Sequence, residues 1–302
     1  MITLTNERGL IYNPKSWDEI EAIPGYVKGL NSCEHKLKAI IGSYDLKSIH
    51  CGLSECNRAH DKGYIAQTIK GSVTNIGHIC GSKYFGVDFT TYANQHKRDV
   101  EEQFNRELLT RFVNTLEVLE NEVVKLRKGE CGADWIYKTS QELISIGKRC
   151  PDAVVREVLS MIKSESNTLE KIRVASDNEV KSLEMSQSRT LKRPHYVTDK
   201  LAIIRGLETL HETYDLKSLL ITDLSENIKS FKLLKVDNLS HSELNHWAKW
   251  VKSIESTKEK IQHSMSAGMS LLRHSNLKPF IEIITSQEDI SQFNKLLETL
   301  PE

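Results

Sequence analysis

The residues with the most chemical potential lie between His50 and Phe89, where Cys51, Cys56 and Cys80 share forty positions with His50, His60 and His78. Thiolate and imidazole are the groups that bind Zn²⁺, and a closed structural site takes four of them in a tetrahedron. Cys51 and Cys56 are separated by four residues that include Gly52, so one tight loop can present both sulfurs. His78 and Cys80 are two apart, and in an extended strand such residues point to the same side. The expected ligand set is therefore Cys51, Cys56, His78 and Cys80, with zinc as the ion. His60, four residues after Cys56, is the alternative fourth ligand, because a helical turn would place it on the same face. His50 ranks behind both.

A catalytic zinc site would keep a coordination position open and hold a general base nearby. The deaminase pattern is absent, since His60 is followed by Asp61 and Lys62, and no H-E-x-x-H occurs. Phosphate-cradling glycine loops and the G-x-S-x-G elbow are missing too. The metal set is thus expected to be structural, and no catalytic residue is nominated. Cys33, Cys131 and Cys150 read as buried structural thiols. His241, His246, His263 and His274 read as a solvated helix face. Lys62, Lys70 and Lys83 lie near Tyr64, Tyr84 and Phe85, a combination suited to phosphate contact and base stacking. The plainer reading is surface lysines above aromatics that pack a small metal core.

These residues must be positioned by the elements around them. Between the cysteine pairs, 63–69 and 73–76 are β-prone runs around Lys70-Gly71-Ser72, which predicts a hairpin that brings its ends together. Leu37–Leu46 reads as a strand or a short buried segment, and Ser16 is a candidate cap for a short helix ended by Pro24-Gly25. From Lys97 to Lys128 there is no proline or glycine. Val100, Phe104, Leu108, Phe112, Leu116, Leu119, Val123 and Leu126 there follow helical spacing. Shorter helices are expected over 135–149 and 151–163, with Pro151 in the first turn of the second. The polar stretch 164–194 still allows helix through Leu169, Ile172, Val180 and Leu183, with a break expected at Lys192-Arg193-Pro194, and helical patterning resumes over 198–211 and 216–234. Ser240 and Glu243 form a capping box ahead of a heptad-like seam over 241–273 that Lys258 and Gly268 interrupt. Phe280–Thr285 looks β-like, and Ser286 caps a last helix.

Composition adds little direction. The 302 residues carry 41 Lys plus Arg against 41 Asp plus Glu, so no global charge draws the chain to nucleic acid or an anionic membrane. No run approaches the roughly 18 apolar residues of a membrane span. The amino-terminal stretch lacks the blocks of a signal peptide, so a cytoplasmic location and reduced cysteines are expected.

The order C-x4-C-x3-H-x2-GY, then G-x3-NIG-x2-CG and FG-x2-F, is carried by Cys51, Cys56, His60, Gly63-Tyr64, Gly71, Asn75-Ile76-Gly77, Cys80-Gly81, Phe85-Gly86 and Phe89. It resembles short zinc-finger-like modules of uncharacterised bacteriophage and bacterial mobile-element proteins. The resemblance covers about residues 50–90 and implies a phage-related setting, a metal-stabilised module and a stronger claim for His60.

Together these readings predict a mainly α-helical protein: a small zinc-stapled α+β module in 1–95, then a helical body in 96–302 with a sub-boundary near 190. The expected function is a non-enzymatic zinc-binding adaptor that contacts nucleic acid or a protein partner, in the setting of phage–host conflict. Two alternatives stand beside it: a metal-dependent, nuclease-like enzyme using the same zinc, and a structural oligomer built by the long helices, coiled-coil fashion. No membrane partner is expected.

Overall fold

The structure, a computed structural model, describes Met1–Glu302 and divides into two compact units. The first comprises 1–111 and 235–249, the second 112–234 and 250–302.

The first unit is organised by a five-stranded antiparallel sheet in the order β2-β1-β3-β4-β5. Its strands are β1 (Ile2–Thr5), β2 (Ile11–Tyr12), β3 (Leu37–His50), β4 (Ala59–Thr68) and β5 (Val73–Gly77), and a one-turn helix α1 (Asp18–Glu21) precedes β3. Side chains alternate between the faces of a strand, and here both faces are covered. Ile40, Ala66 and Ile76 join Leu53, Cys51, Phe89 and Ala93 in one core. Their neighbours Ile65 and Val73 join Ile2, Leu4, Ile20 and Tyr44 in the other. The hairpin expected between the cysteine pairs is present as β4 and β5, with Gly63 opposite Gly77 and Gln67 opposite Val73. Gly71 lies at φ +88° in its turn, where a side chain would be strained.

Directly after β5 the chain enters α2 (His78–Val113), which is bent at Gly86. It contributes Phe89 and Ala93 to the first core. The first unit also takes in the start of α8 (His241–Leu271), whose capping box is formed: Ser240 N–H and Oγ–H both donate to Glu243, and Ser240 Oγ accepts from Glu243 N–H at 3.4 Å.

The second unit is mostly helical, with one antiparallel pair of strands. Its helices are α3 (Leu116–Lys128), α4 (Ala133–Glu142), α5 (Asp152–Lys163), α6 (Asp177–Gln187), α7 (Asn227–Lys232), the rest of α8, α9 (His274–Leu277) and α10 (Gln287–Leu297). Strands β6 (Thr168–Val174) and β7 (Tyr196–Ile203) pair antiparallel. A nine-residue π-helical stretch, Ser218–Glu226, leads into α7. Val154, Val155 and Val158 of α5 are buried, as are Ile254, Ile261 and Leu271 of α8.

The mainly α class is corrected by these elements. The protein is 56% helical and 18% strand, with a five-stranded antiparallel sheet at its amino terminus. The sheet begins at Ile2 and carries its own two-sided core, so it is the frame of the first unit and no small appendage stapled by metal. The helix expected over 97–128 starts earlier, at His78, and is interrupted at Asn114-Thr115. Its buried positions include His96 and Asn105, while Phe104 is exposed. Strand β7 replaces the helix expected from Thr198, because Val197, Asp199 and Leu201 alternate with exposed neighbours in a hairpin. The segment Lys278–Ile283 is a 3₁₀ turn in place of the expected strand. The seam of α8 is completed by buried Thr257 and Ser264, and Ser264 Oγ donates to Tyr214 O at 2.7 Å.

Candidate metal centre

Two short segments of the first unit build the site. The loop 51–58 follows β3 and is closed by Cys51 N–H donating to Arg58 O at 2.9 Å, while Cys56 N–H donates to Leu53 O at 3.2 Å. These bonds fold the four intervening residues so that both sulfurs turn inward. Gly52 is required by close approach: a Cβ there would collide with Thr74 Oγ1 and come within 2.8 Å of Asn75 Oδ1. Gly52 N–H donates to Asn75 O at 2.8 Å, which ties the loop to β5. The second segment is the first turn of α2, which presents Cys80. Gly81, next to it, leaves room for the ring of Phe89.

The result is a cluster of three thiols, Cys51, Cys56 and Cys80, whose sulfurs all lie within 4.8 Å of one another. The Cys56 and Cys80 sulfurs are 2.9 Å apart. In a tetrahedral site with metal–sulfur bonds near 2.3 Å, thiolates stand roughly 3.8 Å apart, which falls between these values. The cluster could therefore hold a metal ion.

Backbone donors support ionised sulfurs. The backbone N–H groups of Leu53 and Gly77 beside Cys51, and of Arg58 beside Cys56, favour the thiolate. The hydrogen bond with Cys80 sets the Cys56 thiol below its usual range, against a smaller effect of burial. Burial pushes Cys80 up to about 12, with both neighbouring thiols adding to the rise; burial also raises Cys51, where Cys56 adds to the rise and Cys80 opposes it. Three sulfurs this close resist ionising together. A bound dication reverses that balance and deprotonates its thiol ligands.

The histidines are placed elsewhere. His78 opens α2 in a helical conformation, so it and Cys80 are turned roughly 200° apart about the helix axis. The same-side argument for the pair held only for a strand. The exposed His78 ring lies against Phe89 and Tyr64, with centroids 5.9 and 6.4 Å away. His60 sits on β4, where Nε2 is 2.5 Å from Tyr44 Oη and Nδ1 is 3.2 Å from Arg58 O. His50 Nδ1 donates to Asn57 O at 3.1 Å. The structure thus brings the three cysteines together and leaves all three histidines out of the group.

A buried network lies beside the cluster. Asn75, 1% exposed, accepts from Tyr26 Oη at 2.8 Å and donates to His50 O at 2.7 Å and Tyr44 Oη at 3.2 Å. Through Tyr44 it reaches His60. Burial raises both tyrosines, Tyr26 to about 12, so they stay neutral and can donate. This network fixes the strand ends that carry the loop. No sequence motif announces it, since β-strand register alone unites Tyr44, Asn75 and His60.

Nearby carboxylates are engaged away from the sulfurs. Glu55 accepts from Ser32 N–H and Oγ–H at 2.8 and 2.9 Å, Asp61 accepts from Ser48 N–H at 3.0 Å, and Asp45 pairs with Lys62 at 3.0 Å. Of the remaining cysteines, Cys150 is buried as expected, whereas Cys33 is exposed and Cys131 half-buried. His241 also departs from expectation: its Nδ1 lies 3.2 Å from Glu102 on a largely covered face. No helix is long and apolar enough to cross a membrane. Comparison with protein families, curated proteins and solved structures finds no match for the chain.

Proposed function

We propose that this chain is a zinc-binding interaction protein, in which zinc held by Cys51, Cys56 and Cys80 locks the 51–58 loop to the start of α2 for contact with a protein partner. The observation that carries this reading is the convergence of the three sulfurs within 4.8 Å of one another. Zinc suits a thiolate-rich tetrahedral set, being soft enough for sulfur and free of redox chemistry. A structural role agrees with the carboxylates, which are spent on backbone and lysine contacts. A protein partner is favoured over nucleic acid by charge: between 50 and 90, Arg58, Lys62, Lys70 and Lys83 are nearly balanced by Glu55, Asp61 and Asp88. The start of α2 also presents Ile79 and Val87, 82% and 81% exposed.

The test is metal analysis of purified chain with serine at each cysteine in turn. The expected result is about one zinc per chain, with less metal and a lower melting temperature in Cys51→Ser, Cys56→Ser and Cys80→Ser. Metal-free protein whose melting is indifferent to all three substitutions overturns the reading. Titration with DNA and RNA should show no salt-dependent binding; tight binding that weakens steeply with salt would assign the surface to nucleic acid.

A further inference from the structure

The cluster contains an asymmetry that metal binding does not need. Cys56 and Cys80 have their sulfurs 2.9 Å apart and are both partly open to solvent, whereas Cys51 is 3% exposed. A disulfide has its sulfurs about 2.05 Å apart, so less than an ångström of closure separates this pair from a bond. Cys56 lies on the short loop and Cys80 in the first turn of a helix, and a loop can supply that closure more readily than a packed helix. From these positions we infer that Cys56 and Cys80 are an oxidation site, a vicinal pair that peroxide converts to a disulfide with release of the metal. The inference rests on the zinc-binding reading for the release and on the geometry of the pair for the bond.

The chemistry balances with hydrogen peroxide as the named oxidant. One sulfur of the pair attacks a peroxide oxygen, the O–O bond breaks, and a sulfenic acid forms as one water leaves. The second sulfur attacks that sulfenic sulfur, the S–O bond breaks, the S–S bond forms and a second water leaves. Two thiols and one peroxide give one disulfide and two waters; where the two sulfurs are thiolates on a metal ion, the two protons those waters need come from solvent. With Cys56 and Cys80 joined, Cys51 would be the one cysteine of the cluster left to hold a metal ion, so an ion held by the three would be released. A dithiol reductant reverses the exchange through a mixed disulfide, and zinc can then rebind. Cys51 is kept out by burial, which denies the oxidant access to its sulfur.

The experiment uses the full-length, zinc-loaded chain with Cys33→Ser and Cys131→Ser to remove the other accessible thiols. Stepwise addition of hydrogen peroxide is followed by a chromogenic zinc chelator and by non-reducing peptide mapping. The expected result is a Cys56–Cys80 link that accumulates in step with one released zinc, both reversed by dithiothreitol and fresh zinc. Sulfinic or sulfonic acid on either residue without a cross-link overturns the inference, as does a link made through Cys51. Metal leaving before any link forms overturns it too. A chain purified without zinc that still forms the Cys56–Cys80 link on oxidation refutes the zinc-binding reading and leaves the oxidation site standing. A zinc-bearing chain that never forms the link refutes the oxidation site alone.

Discussion

His96 shows how a single side chain in this protein carries information that its position in a helix does not. It is 4% exposed, its Nδ1 lies 3.5 Å from Thr5 Oγ1, and its Nε2 has no hydrogen-bond partner. Burial lowers its pKa against the weaker opposing pull of Asp99. The folded chain therefore holds this ring neutral, and the unfolded chain binds the proton more readily. A group of this kind stabilises fully above the ordinary histidine range, and that contribution is lost as pH falls through it. The melting temperature is accordingly expected to drop between pH 7 and pH 5, and to drop less steeply in His96→Gln. Equal slopes for the two proteins would show that His96 does not titrate on unfolding. The cysteine cluster was legible at this scale because sulfur is recognisable wherever it falls. Which histidines stand apart from it was not, since His50, His60 and His78 are alike in sequence and differ only in what their strand or helix sets beside them.

Among the elements, α2 decides the most. Its residues 78–85 and 87–113 form two helical runs joined at Gly86, which has φ +59° and ψ −131°. A side chain is strained in that region by about 1–3 kcal/mol, and a Cβ there would meet nothing within 4 Å. Gly86→Ala should therefore cost stability in about that range through the backbone alone, measured by denaturant unfolding. A neutral result would mean that the bend relaxes into a straight helix. The first run places Cys80 and the second places Phe89, so the bend lets one element serve both the cysteine cluster and the sheet core. The extended conformation expected for His78 and Cys80 is replaced by the first turn of α2, which starts directly after β5. Gly77 in fact leaves room for the His60 ring, and Gly81 for that of Phe89. The hairpin of β4 and β5 was legible, since a turn glycine between two β-prone runs is a local signal.

Over the whole molecule, the first unit is assembled from two stretches more than a hundred residues apart. Within it, Arg106 donates to Val236 O at 2.6 Å and to Leu239 O at 3.4 Å, and Asn105 Nδ2 donates to Asn245 Oδ1 at 2.6 Å. These bonds hold 235–249 against α2. Hydrogen bonds to a charged group contribute about 1.5–3 kcal/mol, so Arg106→Ala should destabilise the chain by roughly that amount in thermal or denaturant unfolding. A change below about 0.5 kcal/mol, the size of ordinary surface substitutions, would mean that 235–249 is held by packing alone. Charge balance was readable from composition. The return of 235–249 was not, because only the fold brings Arg106 to those carbonyls.

The sequence by itself determined the three sulfurs, the hairpin that spans them, the capping box at Ser240 and the long helical runs. Each of these rests on a residue type or on a spacing that acts within a few positions. Tertiary structure decided the five-stranded sheet, the helical conformation of His78, and the placement of every histidine relative to the cluster. Those depend on pairing between distant strands, which burial and backbone hydrogen bonding reward only once the chain has closed. The forty residues from His50 to Phe89 thus named the candidate ligand atoms, and the fold selected which of them meet.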